Sequence, residues 1–251
     1  MQSKWLGWML SVWIVFSPAV WAESLADLTK QAELGDAVAQ TDLGSKYALG
    51  DGVAINYHEA EKWFRAAAEH GDPLAQYMLG MMYAHGEGLP TNFKEASKWF
   101  LKAAQQGDVP AQLTLGLMYA NGDGLPRHYQ EAFKWFRKAA ESGHSTAQAD
   151  LGLMYIRGEG VAKNSNEAAK WFRLSAVQGN AIAQYHLGLC YFEGEGVEKN
   201  DQEAYVWFAL ASAQGDADAH EFLNKLETEL TPEQIAAAQK RASEWGFINK
   251  I

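Results

Sequence analysis

The chain repeats itself every 36 residues, and this period restricts its fold more than any other feature. A glycine recurs at the same point of each unit, with no insertion between units, at Gly35, Gly71, Gly107, Gly143, Gly179 and Gly215. A strict period of roughly 20 to 50 residues is typical of stacked supersecondary units that bury their apolar faces against one another. The sequence therefore predicts a repeat array and not a single globular core.

Each unit carries two apolar patterns with helical spacing. In the unit from 71 to 106, Ala75, Leu79 and Tyr83 are spaced four residues apart, and a second set, with intervals of four and three, begins at Ala96. Residues at these intervals share one face of a helix. We therefore predict that each unit is a helical hairpin, in which a first helix, helix A, is followed by a second, helix B.

Residues that favour helix ends separate the two patterns. The N-cap of helix A is predicted at Asp36, Asp72, Asp108, Asn180 and Asp216, with the weaker cap His144 in the fourth unit. A Gly-x-Gly pair such as Gly86 and Gly88 is predicted to end helix A and open the loop. Helix B is predicted to begin with an Asn-x-x-Glu capping box, at Asn56/Glu59, Asn92/Glu95, Asn164/Glu167 and Asn200/Glu203. In the third unit His128 replaces the Asn, which predicts a cap that is weaker by about 1 kcal/mol.

Two further sets of repeated residues indicate tight packing. A glycine recurs within helix A at Gly44, Gly80, Gly116, Gly152 and Gly188. Because Gly in a helix interior costs about 1 kcal/mol relative to Ala, its recurrence predicts a close approach of two helices. An aromatic pair recurs in helix B, at Trp63/Phe64, Trp99/Phe100, Trp135/Phe136, Trp171/Phe172 and Trp207/Phe208. Its fixed place in every unit favours core packing over a row of ligand-binding rings.

The strings A-Q-x-x-L-G-x-x-Y, G-x-G and E-A-x-K-W-F-x-x-A-A resemble the Sel-one-like repeat family, a relative of the tetratricopeptide repeats. The resemblance covers five full units, from Gly35 to Gln214, and a partial sixth unit from Gly215 to Leu226. It implies an all-α, right-handed α/α solenoid of 36-residue hairpins with helix A on the concave side. It also implies adaptor, scaffold or regulatory binding, including in bacterial envelopes, whereas some cysteine-rich members resemble penicillin-binding proteins or β-lactamases.

The two ends of the array depart from the repeat, as the caps of a solenoid must. Residues 23–34 match the helix-B half of a repeat, and we expect them to cap the N-terminal end of repeats 35–214. Residues 215–251 are predicted to form a partial sixth repeat and a capping helix, with Thr231 as its N-cap, Trp245 as its last residue and a short tail from Gly246. The residues expected to face the array are Ile235, Ala238 and Ala242.

Residues 1–22 do not fit the repeat and have the pattern of a secretory signal peptide. Lys4 is followed by an apolar run from Trp5 to Phe16, and Val20 and Ala22 occupy the small-residue positions of a cleavage site. Cleavage after Ala22 predicts a periplasmic or secreted protein with no stable membrane insertion. The alternative is an N-terminal membrane anchor, because the stretch from Trp5 to Ala22 has 18 uncharged residues and approaches the length of a membrane span.

Charge and motifs argue against several functional classes. Without residues 1–22 the chain has 20 basic and 31 acidic residues and no basic cluster, which argues against nucleic acid as a partner. Cys190 is the only cysteine, so there is no disulfide framework, and its apolar neighbours favour a buried role. The seven histidines form no metal-ligand motif, a single carboxylate in each Gly-x-Gly loop is too few for calcium, and no nucleophile motif or P-loop is present. We therefore expect no catalytic residue, metal site or cofactor.

The variable positions of helix A are the best candidates for a binding surface if tetratricopeptide geometry applies. We assign to a protein-binding groove Leu74, Met78, Met81, His85, Thr114, Leu117, Asn121, Asp150, Leu153, Arg157, His186, Leu189 and Glu193. The same rows are completed by Val38, Asp42, Ser45, Leu49, Pro110, Thr146 and Ile182. Within the set, Met81, Leu117, Leu153 and Leu189 make an apolar stripe suited to an extended segment or an amphipathic helix. The alternative is that these four side chains contact the adjacent helix A and belong to the core.

Three functions are consistent with these features to different degrees. The leading hypothesis is an exported scaffold, not an enzyme, that binds a partner protein or peptide through the concave surface of helix A. A β-lactam hydrolase is implied only by the resemblance to cysteine-rich relatives, whose disulfides this chain lacks. A binder of cell-wall glycan or peptide would present exposed aromatic side chains, and only Tyr77 and Tyr185 are expected near the groove.

Overall fold

The computed structural model describes residues 25–248, which form an all-α solenoid. The predicted signal peptide, residues 1–22, lies outside these residues. Thirteen helices and no strand occur within the described range: α1 (Leu25–Glu33), α2 (Ala37–Leu49), α3 (Tyr57–Glu69), α4 (Pro73–His85), α5 (Phe93–Gln105), α6 (Val109–Asn121), α7 (Tyr129–Glu141), α8 (Ser145–Arg157), α9 (Ser165–Ala176), α10 (Ala181–Glu193), α11 (Asp201–Ser212), α12 (Ala217–Glu229) and α13 (Pro232–Ile248).

The helices alternate in role along the chain. The A helices of the five repeats are α2, α4, α6, α8 and α10, and the B helices are α3, α5, α7, α9 and α11. Each B helix packs against the A helix of its own repeat and against the A helix that follows it. The core is therefore continuous from one hairpin to the next, which confirms the predicted repeat stacking.

The helices begin and end at the predicted capping residues and glycines, with one correction. Each predicted N-cap of an A helix accepts a backbone N–H, at 2.6–3.0 Å for the Asp and Asn caps and 3.5 Å for His144. Each of the five repeats ends helix A on a left-handed glycine with φ of 72–88°. Helix B begins at its predicted Asn N-cap, but the prediction of a reciprocal hydrogen bond from the Glu of the capping box is wrong. Asn92 accepts the N–H of Glu95, but its own N–H donates to the carbonyl of Tyr83, and Glu95 pairs with Lys98 at 2.5 Å.

The glycine in the middle of helix A allows the predicted close approach. A Cβ atom built on any of these five glycines would lie 2.5–2.8 Å from the ring of the Phe in helix B of the same repeat. The Phe rings are buried, and so are four of the five Trp side chains, while Trp171 is half-buried. The repeated glycine and phenylalanine are therefore one packing unit that fixes the hairpin.

The second glycine of each Gly-x-Gly loop has a role that the sequence did not indicate. A Cβ atom on Gly88 would lie 2.6 Å from Cβ of Tyr57, at the start of helix B in the preceding repeat. The equivalent positions Gly124, Gly160 and Gly196 meet the backbone of Phe93, Tyr129 and Ser165 in the same way. This glycine is therefore needed where the loops of successive repeats touch, in addition to its φ above +60°.

A row of buried glutamines joins the repeats. Gln40, Gln76, Gln112, Gln148 and Gln184 are each buried, and each side-chain N–H donates to a carbonyl in the last turn of the preceding B-type helix at 3.0–3.2 Å. The side-chain oxygen accepts in turn from a residue 30 positions later, as in Gln106 to Gln76 at 2.9 Å and Gln214 to Gln184 at 2.8 Å. In the third repeat the later position is Ser142, and the oxygen of Gln112 has no hydrogen-bond partner among the described residues.

The last helix packs on the outer side of the fifth repeat. α13 lies against α11, where Ala238 and Ala242 are buried, Ile235 is partly buried, and Trp245 packs on Trp207 with ring centroids 5.6 Å apart. The outer side of α11 carries Val206 and Leu210, at positions where other B helices carry lysines such as Lys98 and Lys102. Thr231 and Gln234 form the predicted reciprocal cap. The helix continues beyond the predicted end at Trp245 to Ile248.

Candidate protein-binding surface

The A helices present one side to the core and the other to solvent. Their inward side carries the repeated Ala, Gln, Leu and Gly positions, all of which are buried. We use the name helix-A face for the thirteen predicted groove residues together with Val38, Asp42, Ser45, Leu49, Pro110, Thr146 and Ile182. None of these twenty residues is buried. The caps and the close Gly–Phe contact fix the rotation of each helix, so the same positions face outward in every repeat.

The thirteen predicted groove residues all lie on this exposed surface. Six are exposed: Leu74, His85, Leu117, Asn121, Arg157 and Glu193. Seven are half-buried: Met78, Met81, Thr114, Asp150, Leu153, His186 and Leu189. Consecutive A helices also approach one another, since α8 contacts α10 directly. Their role in binding stays a prediction.

The apolar stripe combines the two alternatives that the sequence left open. Leu117 is 40% exposed. Met81 packs against the buried cluster that contains Phe100, and Leu153 and Leu189 pack against the large cluster at the C-terminal end. These three side chains therefore support the core with one side and reach the surface with the other. Leu117 is the member whose substitution disturbs the core least.

Charge is divided between the two sides of the solenoid. The helix-A face carries three acidic residues, Asp42, Asp150 and Glu193, and one basic residue, Arg157. The N-terminal edge of the same helices adds the capping carboxylates of Asp36, Asp72 and Asp108. The B helices instead carry lysines paired with a glutamate three residues earlier, at Lys62, Lys98, Lys134 and Lys170. The helix-A face is therefore the acidic side.

Asp150 has the most unusual surroundings on this face. Its Oδ2 atom is buried and has no hydrogen-bond partner among the described residues. Burial raises the pKa of Asp150 to about 6, although the positive charge of Arg157 acts in the opposite direction. Burial also lowers the pKa of His186, which stacks on Phe172 with ring centroids 5.1 Å apart, and Arg157 lowers it further, against Asp216. Repeats four and five therefore place two partly buried titratable side chains on the helix-A face.

The two aromatic residues expected near the groove are engaged in packing. Tyr77 lies against Phe100 with ring centroids 5.6 Å apart, and burial raises the pKa of its hydroxyl. Tyr185 packs against Phe208 and Phe222 at 5.9 and 6.2 Å. Both tyrosines are half-buried, so part of each ring is used in packing between helices.

Metal-binding groups and a reactive thiol are two features of the described residues that bear on chemistry. No group of three or more His, Cys, Asp or Glu side chains there is placed to hold a metal ion. Cys190 is buried, and burial raises the pKa of its thiol to about 11, as expected for a packing role and not for a nucleophile. Within residues 25–248, none of the helices combines the length and apolarity of a membrane span.

Comparison with known proteins gives a consistent result. The family model described as Sel1 repeat matches residues 37–72, 73–108, 109–144, 145–180 and 181–216. The chain is 33% identical to a crystal structure of a Sel1 repeat protein from Oxalobacter formigenes, over 87% of this chain and 89% of that one, with a TM-score of 0.74. It is 29% identical to c5321, described as a protective antigen of uropathogenic Escherichia coli with an SLR fold, over 88% of this chain and 55% of that one, with a TM-score of 0.60. No curated protein matches.

Proposed function

We propose, from the premise that the chain belongs to the Sel1 repeat family, that it binds a partner protein through its helix-A face. Sel1 repeats typically mediate protein–protein interaction and generally form scaffolds without enzymatic activity. The observation that carries the proposal is that none of the twenty residues of the helix-A face is buried, in any of the five A helices. The opposite side of each helix is occupied by the stacking of the repeats, so this side is the part of helix A that a partner can reach.

The proposed binding surface consists of the thirteen groove residues, with the apolar stripe at its centre. An extended segment or a helix that lies across successive A helices would contact Leu117 together with the exposed sides of Met81, Leu153 and Leu189. Residues 23–34 and 215–251 are proposed as the caps of this scaffold. A rigid surface of this kind favours affinity because little conformational freedom of the receptor is lost on binding.

We further propose that the protein is exported and acts in the bacterial envelope. The support is the signal-peptide pattern of residues 1–22, which ends with the small-residue cleavage site at Val20 and Ala22. N-terminal sequencing of protein purified from envelope and cytoplasmic fractions tests this proposal. A mature chain that begins at Glu23 is the expected result, and an intact N-terminus beginning at Met1 contradicts cleavage.

Photocrosslinking in intact cells tests the binding surface. A photoreactive amino acid is placed at Leu117 on the helix-A face or at Leu174, which is 48% exposed on α9. The two sites match in residue type and exposure, but they lie on different sides of the hairpins. We expect a specific crosslinked protein from position 117, identified by mass spectrometry, and not from position 174. Equal crosslinking at both sites, or none at position 117, contradicts the proposal.

A further inference from the structure

The acidic character of the helix-A face indicates which charge a bound segment of the partner carries. This inference rests on the proposed function. Among the twenty residues of the face, three carboxylates oppose the single guanidinium of Arg157. Arg157 is itself directed toward Glu159, at 3.9 Å. Lysines on the B helices are paired locally and lie on the other side. A segment with positive charge is therefore attracted to the helix-A face and not to the opposite side.

Asp150 is the one carboxylate of the face that its own fold leaves incompletely satisfied. The capping carboxylates each accept a backbone N–H, whereas Oδ2 of Asp150 is buried without a partner among the described residues. An ionised carboxylate in such a place is normally paired, because burial of an unpaired charge is unfavourable. Burial raises the pKa of Asp150, and the positive charge of Arg157, on the same helix, lowers it only in part. A positive group of a partner that came close to Asp150 from outside the chain would offset the charge of this carboxylate.

The surroundings of Asp150 add an apolar requirement. It lies on α8, which also carries Leu153, and the neighbouring A helices contribute Leu117 and Leu189 to the same face. Leucine side chains on three consecutive helices favour apolar side chains in whatever crosses them. The positive group that reaches Asp150 is therefore expected to be flanked by apolar residues.

We propose that the segment bound by the helix-A face is a peptide stretch with a Lys or Arg side chain that lies against Asp150, flanked by apolar side chains on Leu117, Leu153 and Leu189. The contact is non-covalent: the Lys or Arg side chain supplies N–H donors to the carboxylate of Asp150. Arg or Lys paired with a partly desolvated carboxylate forms a charge-assisted hydrogen bond, which is stronger than a neutral one. Asp150 then determines which segments bind, and the leucines supply general affinity.

A library of random twelve-residue peptides displayed on phage tests the proposal. It is selected on the full mature chain, on Asp150→Asn, and on Glu141→Gln, in which a carboxylate on the opposite side of the solenoid is neutralised. Wild-type protein and Glu141→Gln are expected to enrich peptides with one basic residue among apolar ones. Asp150→Asn is expected to keep the apolar preference and to lose the basic one. A synthetic peptide from the wild-type selection should bind Asp150→Asn roughly tenfold more weakly and with a smaller dependence on salt.

The outcomes separate this inference from the proposed function. If no peptide is enriched, or if enrichment is the same on Leu117→Asp, then the helix-A face is not a peptide-binding surface and both proposals fail. If peptides are enriched and depend on Leu117, but carry no basic residue or bind Asp150→Asn equally well, the inference fails alone. Enrichment of acidic peptides through Arg157 also overturns it. Circular dichroism melting of each variant shows whether the fold is retained.

Discussion

The break in the glutamine row at the third repeat predicts a stabilising substitution. Ser142 stands where Gln106, Gln178 and Gln214 stand in other repeats, and its side chain is too short to reach Gln112. At those other positions the glutamine donates to the buried glutamine oxygen at 2.7–2.9 Å. Ser142→Gln should therefore supply the missing donor without any change of backbone, because Ser142 already occupies the equivalent helix-end position.

The expected gain follows from the energetics of a buried acceptor. A neutral hydrogen bond contributes about 1 kcal/mol net, and a buried acceptor left unpaired costs about 1–3 kcal/mol. Immobilising a Gln side chain costs up to about 1.5–2 kcal/mol of rotamer entropy. We therefore expect Ser142→Gln to raise the free energy of unfolding by about 1 kcal/mol. For a chain of this size the melting temperature should rise by about 2–4 °C.

Urea denaturation followed by circular dichroism measures the effect, with two matched variants as controls. Ser142→Glu has nearly the same shape but no donor when ionised, and Ser142→Met has the same length without polar atoms. Neither should give the gain of Ser142→Gln, and Gln178→Ser in the next repeat should lose about the same amount. A glutamine at position 142 that does no better than glutamate would refute the proposed role of the row.

Three further predictions concern loop contact, buried charge and the thiol. Gly88→Ala should lower the free energy of unfolding by about 1–3 kcal/mol more than Gly52→Ala, as measured by denaturant titration. Both glycines have positive φ, but only Gly88 contacts a described neighbour, Tyr57. Equal losses in the two variants would contradict this contact. Asp150 binds its proton more tightly in the folded than in the unfolded chain. Its ionisation therefore lowers the free energy of unfolding as pH rises from 3.8 to about 6. Asp150→Asn should thus raise the free energy of unfolding by up to about 3 kcal/mol at neutral pH and by about 1 kcal/mol near pH 4.5. Thermal melts that show the same gain at both pH values would contradict this prediction. Cys190 should react with iodoacetamide at pH 8 only after denaturation, and rapid labelling of the native protein would show that its thiol is not buried.

Much of the fold follows from the sequence because each structural requirement occurs five times. The Gly-to-Phe contact is an example: a costly glycine in one helix and a fixed aromatic in the next are sufficient to predict close packing, and Gly80 with Phe100 confirms it. The N-caps follow for the same reason. Repetition separates residues that the architecture requires from those that vary, and this separation is also what defines the helix-A face.

Other features depend on contacts between repeats that a single unit does not display. The repeated Gln is part of the sequence motif, but its link between helix ends emerges only when neighbouring hairpins are stacked. The sequence does indicate where α13 packs, since Val206 and Leu210 replace lysines on the outer side of α11. The capping box failed because the N–H of Asn92 is already bonded to Tyr83, which leaves Glu95 free to pair with Lys98.

The most direct test of the account is the affinity of two leucine variants for the protein crosslinked at position 117. Leu117→Asp and Leu174→Asp introduce the same charge at similarly exposed sites on opposite sides of the hairpins. Isothermal titration should show a loss of roughly tenfold or more for Leu117→Asp, with wild-type affinity for Leu174→Asp. Wild-type affinity of a folded Leu117→Asp, or an equal loss in both variants, would contradict the claim that the helix-A face binds the partner.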